Sequence, residues 1–249
     1  MVLDGEQRAA FLESQPALGC KESFRFSCHP EIDCFNACCA DLELLLGPYD
    51  VLRLRRHLAL ISRELMERHC RVGIEEQTGF PAVFLAMRDD PRRSCPFVTG
   101  QGCSVYADRP SACRLYPLGR GASVEPDGRV EVRWVVVREA HCHGHGQGES
   151  WTVDSWTRDQ GLDPYLEFDD RLLRLHHRWK ATGRTMDREQ AGAVMLALYH
   201  LDDFRARAKR SGWRDRRPAT GDDQPTRIED DTELLRYAFA WLGRLLFGD

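Results

Sequence analysis

Eight cysteines fall into three groups along the sequence, at a density that suits metal binding. The groups are Cys28, Cys34, Cys38 and Cys39, then Cys95, Cys103 and Cys113, and finally Cys142 alone. Clustered cysteines form disulfides, bind a metal or remain as thiols. Zinc sites and iron–sulfur clusters are both held by thiolates, usually four of them from different chain segments. Eight cysteines are therefore enough for two four-cysteine sites, or for one site with further thiols beside it.

The spacing of these cysteines does not choose between zinc and iron. No two of them are separated by two residues, so the CxxC pair of zinc ribbons and bacterial ferredoxins is absent. The adjacent pair Cys38–Cys39 is more informative, because neighbouring side chains diverge on a strand or on a helix. We expect these two thiolates to serve different sites, or different irons of one cluster.

Basic residues accompany the cysteines along the chain. The arginines closest to them in sequence are Arg92, Arg93, Arg109 and Arg114. Four thiolates on one cation or one cluster leave residual negative charge. Guanidinium groups could offset that charge or donate hydrogen bonds to sulfur, and so tune the site.

Composition and charge are those of an ordinary soluble globular protein. The 249-residue chain is 42% hydrophobic and 30% charged, with a net charge of −4, which argues against a general nucleic-acid or membrane-surface binder. No apolar stretch approaches the roughly 18–20 residues that span a bilayer, and the first residues lack the pattern of a secretory signal. We therefore expect a cytoplasmic protein, where cysteines bind metal more often than they form disulfides.

The remaining candidate side chains are weaker. Cys20 and Cys70 lie outside the three groups, and we expect both to have packing roles. The histidines beside Cys142 are His141, His143 and His145. Imidazoles can bind metal, but the glycine-rich sequence HCHGHGQG favours a solvated loop. No Ser–His–Asp or paired-carboxylate pattern singles out a catalytic residue, so the sequence leaves open whether the protein is an enzyme.

Hydrophobic periodicity predicts the elements that hold these loops. Apolar residues recur at helical spacing after Pro48 as far as Leu65, which predicts one helix beside the first cysteine group. Residues 81–87 and 129–137 alternate and are rich in β-branched side chains, which predicts two strands. The second cysteine group lies between them in a segment rich in Gly, Pro and Asp. We expect its cysteines on loops, where ligands are usually placed by a rigid scaffold.

From residue 150 onward the pattern predicts helices only. One of them covers residues 187–212, and the polar, proline-containing segment 213–227 is expected to be an exposed linker. The last helix is amphipathic and is expected to start at Asp231 or Thr232.

The predicted fold class is α+β. Residues 1–149 are expected to form a cysteine-rich, metal-held lobe with short strands. Residues 150–249 are expected to form a mainly α-helical tail, packed on that lobe as one structural unit.

The cysteine pattern resembles the YkgJ-type cysteine-cluster family, which is described as a zinc- or iron-chelating domain. The resemblance covers roughly residues 24–148, and GCSVYADRPSACRLYP (102–117) is its most specific part. It implies that all eight grouped cysteines are metal-ligand candidates. The wide gap between Cys28 and Cys34 departs from the tight CxxC of many members. Flagellin lysine methylases have a similar cysteine framework, associated with an iron–sulfur cluster.

These observations predict a metal-binding protein that holds an iron–sulfur cluster of the [4Fe–4S] type, with a redox or structural role. The partner would be an unidentified protein or redox protein. One alternative is a zinc-binding structural or interaction protein. Another is a SAM-dependent protein methyltransferase, which the resemblance to the flagellin methylases implies.

Overall fold

A computed structural model describes residues 5–19, 21–209 and 229–248 of the chain. Within these residues the structure contains helices together with short strands in small sheets, which confirms the predicted α+β class. Every helix in the described residues is too short or too polar to span a bilayer.

Helices and strands are distributed over the whole described chain. The helices are α1 (Gly5–Ser14), α2 (Pro48–His57), α3 (Ser62–His69), α4 (Ser111–Leu115), α5 (Val153–Asp159), α6 (Asp163–Ala181), α7 (Arg188–Leu198), α8 (Leu201–Ala208) and α9 (Asp231–Phe247). The strands are β1 (Phe24–Phe26), β2 (Cys70–Ile74), β3 (Pro81–Leu85), β4 (Val98–Thr99), β5 (Gly102–Cys103), β6 (Leu118–Val124), β7 (Val130–Val136) and β8 (His145–Trp151).

The chain divides into two compact units, each built from two stretches of sequence. The thiol unit comprises the residues up to 44 together with 85–166, and the helical unit comprises 45–84 together with 167 onward. The predicted boundary at residue 149 divides the chain into two continuous parts, whereas each of these units combines two separate stretches of sequence. Residues 45–84 belong with the C-terminal helices because α2 and α3 contact α8 and α9.

Strands β6 and β7 form the longest hairpin of the thiol unit. They pair in continuous antiparallel register from Leu118 opposite Val136 to Val124 opposite Val130. The turn that joins them contains Gly128 at a φ of 82°, a conformation that glycine adopts without strain. The strand predicted over 129–137 is thus confirmed as β7.

A second pairing in the thiol unit joins β1 to β8, which lie far apart in sequence. Phe24 pairs with Trp151, and the register shifts by a bulge before Phe26 pairs with His145. Apolar side chains from these strands form a core with neighbouring elements. Its buried members are Phe24, Phe26, Leu118, Val153 and Trp156, with Cys142 packed against them.

The helical unit contains two breaks that the periodicity did not predict. The single helix expected after Pro48 is divided into α2 and α3, because Ala59 takes a φ of 51° between them. The helix expected over 187–212 is divided into α7 and α8 at His200, and its predicted end lies outside the described residues. The linker predicted over 213–227 also lies outside them.

One carboxylate connects three helices of the helical unit. The side chain of Asp231, at the start of α9, accepts hydrogen bonds from Arg55 and Arg56 of α2 and from Arg205 of α8. The cap of α9 is the preceding residue, Asp230, whose side chain accepts from two backbone amides. The helix itself starts at Asp231, which confirms the expected start.

Candidate metal centre

All eight candidate cysteines lie in the thiol unit. The described part of the chain contains nine cysteines, and each is a reduced thiol. Cys28, Cys38 and Cys113 are exposed, and the other five candidates are half-buried. Cys70 lies in the helical unit, where burial raises the pKa of its thiol to about 12. Cys20 lies outside the described residues.

The pairing of β1 with β8 brings the first and last cysteines of the pattern together. Immediately after β1, the amide of Ser27 donates a hydrogen bond to the carbonyl of Gly144 at 3.1 Å. A Cβ atom at Gly144 would lie 2.5 Å from the Ser27 oxygen, so this close approach requires glycine. Cys28 and Cys142 flank this contact. Gly144 of the HGHGQG segment therefore serves backbone pairing.

Cys34 joins the same region through the backbone of the histidine-rich segment. The amide of His143 donates a hydrogen bond to the Cys34 sulfur at 3.2 Å. The segment 29–39 folds in successive turns, with Asn36 at a left-handed φ of 65°. The Asn36 side-chain amide donates to the carbonyl of Thr99 at 3.1 Å. This bond ties the first cysteine loop to the second cysteine group.

A short antiparallel contact attaches the adjacent pair to the second group. The amide of Cys95 donates to the carbonyl of Cys39 at 2.9 Å, and Ala40 pairs with Ser94. Cys95 is in turn fixed to the β4–β5 hairpin, because the amide of Val98 donates to its carbonyl at 3.2 Å. Val98 pairs across the hairpin with Cys103. Backbone contacts therefore bring Cys39, Cys95 and Cys103 into one region.

Cys113 is presented by α4, and a buried arginine holds this short helix in place. The Arg114 guanidinium donates to the carbonyl of Arg109 at 3.0 Å, to that of Gln160 at 2.7 Å and to that of Ala107. These bonds fasten α4 to the preceding loop and to the end of α5. Arg114 thus has a structural role, and it stabilises the backbone on which Cys113 lies.

The adjacent pair lies in a turn and not on the strand or helix that the expected divergence assumed. Cys38 and Cys39 lie in a turn, and the Cys39 thiol donates a hydrogen bond to the Cys38 sulfur. This bond lowers the pKa of Cys38 to about 7 and raises the pKa of Cys39.

The thiols are close enough to disfavour one another's ionisation. Partial burial and three neighbouring thiols raise the pKa of Cys28 to about 11. The neighbours are Cys38, Cys34 and Cys142. The pKa of Cys39 is raised by the Cys38 hydrogen bond, by burial and by the Cys95 and Cys113 thiols. A bound cation reverses this effect, because it holds each cysteine as a thiolate.

Arg109 is the arginine whose charge acts on several of these thiols. It lowers the pKa of Cys28, and it also interacts with Cys103 and Cys113. The guanidinium is held in place over the Tyr106 ring, 3.8 Å from the centroid, and it donates to the Gln160 side chain. Burial lowers the pKa of Arg109 from its usual value. By contrast, the predicted neighbour Arg93 is paired with Asp41 at 3.0 Å.

Tyr116 is a neighbour of the thiols that the sequence did not predict. Burial and a hydrogen bond to Cys142 raise the pKa of its phenol. The Tyr116 hydroxyl also lies 3.4 Å from Nε2 of His145, whose ring packs against Phe26. His141 instead lies 3.6 Å from Glu139.

The donor atoms suit a thiophilic metal, but they do not yet surround a single point. Among the described residues, no three His, Cys, Asp or Glu side chains are placed to hold one ion. A tetrahedral zinc ion with Zn–S bonds of about 2.3 Å needs thiolates within roughly 4 Å of one another. The thiols therefore affect one another's pKa, but they are spread over a region wider than one coordination sphere.

The cysteine-rich part of the chain is similar to a family of metal-chelating domains. Residues 27–142, a little under half of the chain, match the family model CxxCxxCC, described as a "Putative zinc- or iron-chelating domain". This match confirms the resemblance to the YkgJ-type cysteine cluster. No curated protein and no solved structure matches the chain.

Proposed function

We propose that the thiol unit binds an iron–sulfur cluster of the [4Fe–4S] type through its grouped cysteines. One observation supports this proposal above all. Eight reduced thiols are gathered in one compact unit, close enough to affect one another's pKa. Eight thiols exceed the four that one zinc ion binds, and a cubane takes four thiolates, one on each iron.

The charges around the thiols support the same assignment. A cluster held by thiolates keeps residual negative charge, and a cationic neighbour stabilises that charge. Arg109 meets this need, because it interacts with cysteines from both the first and the second group. Tyr116 adds a hydrogen bond to the Cys142 sulfur. Hydrogen bonds to sulfur are among the factors that set the potential of such clusters.

We infer that the cluster has a redox role and not a purely structural one. When bound, the cluster would supply one-electron chemistry. Cys28, Cys38 and Cys113 are exposed, so part of the ligand set lies at the protein surface, where a redox partner can approach. The partner would be a protein of the cytoplasm. No feature of the described residues favours a methyltransferase, and the comparisons give that alternative no support.

Metal analysis of anaerobically purified protein tests this proposal. We expect iron and acid-labile sulfide in equal amounts, together with a broad visible absorption that dithionite bleaches and air or ferricyanide restores. The Cys70→Ser variant is the matched control, because Cys70 is a half-buried thiol of the helical unit, and it should retain full iron content. Stoichiometric zinc without sulfide or visible absorption would refute an iron–sulfur cluster and favour the zinc alternative.

A further inference from the structure

Strand β2 forms an exposed sheet edge of the helical unit. Within the described residues it pairs with one strand, β3, and the opposite side of β3 is covered by a bridge between Leu45 and Phe84. Strand β2 contains neither proline nor lysine, the residues that commonly protect a sheet edge from further pairing. Its outer side can therefore accept another strand.

Two residues of β2 direct their backbone groups towards this outer side. The amide of Glu75, directly after β2, donates to the carbonyl of Phe80 at 3.0 Å, on the side of β3. Successive residues of a strand point their amides to opposite edges, so the odd-numbered residues of β2 bond towards β3. The amides and carbonyls of Val72 and Ile74 therefore point outward.

The apolar side chains of β2 are exposed, although they share a face with buried residues of β3. Continuation of the register from Glu75 places Val72 opposite Val83, which is fully buried. It also places Arg71 opposite Phe84, and the Arg71 guanidinium indeed lies 4.5 Å from that ring centroid. Val72 is nevertheless 47% exposed and Ile74 57% exposed. Strand β2 thus extends beyond the core and carries apolar surface that a further strand would cover.

The sequence of this edge complements itself in the antiparallel direction. In RVGIE, which starts at Arg71, a basic and an acidic residue flank two apolar residues separated by glycine. A two-fold axis at Gly73 puts Val72 of one copy opposite Ile74 of the other, and these residues have the outward backbone groups that pairing needs. The same register puts Arg71 opposite Glu75. Apolar and opposite-charge pairs are both favourable across strands.

We propose that two copies of the chain associate through β2, edge to edge and antiparallel, about a two-fold axis at Gly73. Symmetry makes each favourable pair occur twice. The Glu75 carboxylate is held in place by Thr78 and by Nε2 of His176 at 2.7 Å, and its side chain is 38% exposed to an incoming cation. So short a pairing buries less than the roughly 1,200–2,000 Å² of a stable interface, so the dimer should dissociate on dilution. The pairing does not depend on the metal of the thiol unit.

Sedimentation equilibrium of the full chain, with a reductant present, tests this proposal. The wild type should change from monomer to dimer as its concentration rises. Ile74→Lys should raise the dimer dissociation constant about tenfold or more, because both copies lose an apolar pair and gain a charge at the edge. The matched control is Ile61→Lys, since Ile61 is 56% exposed in the same unit but lies at the other end of α3. The control should associate like the wild type, and equal weakening in both variants would overturn the proposal.

Cross-linking tests the position of the axis. Opposite residues of a non-hydrogen-bonded pair have Cα atoms about 4.5 Å apart, which suits a disulfide. Gly73→Cys, oxidised with glutathione disulfide, should therefore give a dimer in which mass spectrometry finds residue 73 of both copies linked. A Cβ at Gly73 lies at an ordinary 3.4 Å from the Phe84 ring, so the variant should fold. Gly100→Cys, whose Cβ meets no atom within 4 Å, is the control and should give far less linkage.

Two results would overturn the proposal even if a variant does not fold. The first is a wild-type chain that stays monomeric up to about 1 mM, which would leave the edge to a strand of a different protein. The second is a wild-type dimer without linkage between the two copies of residue 73 in folded Gly73→Cys, which would place the interface elsewhere.

Discussion

Replacement of Asp231 by Asn should strongly destabilise the helical unit. The Asp231 side chain is 9% exposed, and its carboxylate accepts hydrogen bonds from Arg55, Arg56 and Arg205. Asn has nearly the same shape but lacks the charge. The cap of α9 is unaffected, because it is formed by Asp230. The substitution therefore tests the charge of one residue.

The expected cost follows from the surroundings of each arginine. Removal of one partner from a buried ion pair costs about 3–5 kcal/mol, because the other charge stays desolvated. Arg55 keeps a second carboxylate, Asp202, at 2.5 Å, and the Arg56 side chain is 43% exposed, so water can solvate it. Arg205 is only 19% exposed and loses this carboxylate. We therefore expect a loss near the lower limit, about 3 kcal/mol.

Urea unfolding followed by far-UV circular dichroism measures this loss. The matched control is Asp203→Asn, since Asp203 lies next to Asp202 on α8 but is half-exposed and 3.9 Å from the exposed Arg63. Exposed ion pairs contribute roughly 0–1 kcal/mol, so the control should change little. If Asp231→Asn and the control lower the free energy of unfolding equally, the carboxylate does not hold the three helices together.

The same comparison has a defined pH dependence. Burial alone would raise the pKa of Asp231, but the hydrogen bond from Arg205 and the charges of Arg55 and Arg56 outweigh burial and lower it below 3.8. A lowered pKa means that the ionised carboxylate stabilises the folded state above pH 3.8. This stabilisation is lost as the pH falls below that value. The difference between wild type and Asp231→Asn should therefore shrink below pH 3.8, and a constant difference would contradict the argument.

Two further predictions concern the thiol unit. Gly144→Ala places a Cβ 2.5 Å from the Ser27 carbonyl, so it should separate β1 from β8 and lower the iron content. The control is Gly100→Ala, whose Cβ would meet no atom within 4 Å, and it should keep the wild-type iron content. Equal iron contents in the two variants would contradict the role of the β1–β8 pairing. Arg109→Gln should lower the midpoint potential by about 20–60 mV, because a reduced cluster loses a stabilising positive charge. Arg109→Lys should restore most of the potential, and an unchanged potential in Arg109→Gln would remove Arg109 from the site.

The sequence predicted elements well where one periodicity dominates. The strands over 81–87 and 129–137 correspond to β3 and β7, whose apolar residues alternate. It failed for β8, HGQGESW, because glycines mask the alternation and the partner β1 is more than a hundred residues away. It also failed at Ala59, where one residue in a left-handed conformation divides a helix whose apolar spacing is continuous.

The sequence identifies which cysteines belong to the candidate site, but it does not predict which of them lie next to one another. Chemistry alone identifies the eight cysteines, since few other roles explain so many grouped thiols. Their neighbours depend on non-local pairing, which spacing does not encode. Cys142 lies beside Cys28 only because β8 returns to β1, and Cys39 lies beside Cys95 only because of a short antiparallel backbone contact. Tyr116 lies near Cys113 in the segment 102–117, but its proximity to Cys142 follows only from the fold.

These contacts also bear on whether the metal is redox-active or structural. The described thiol unit is held by two-stranded sheets, and a two-stranded hairpin by itself is marginally stable in water. Most of the cysteines lie on the segments between those sheets, with Cys103 on β5 and Cys113 on α4, so any metal bound to them cross-links distant segments. A structural metal site contributes about 10–16 kcal/mol, as much as the whole stability of a typical domain. A redox cluster at these positions would therefore also stabilise the fold, and the two roles are not alternatives for this site.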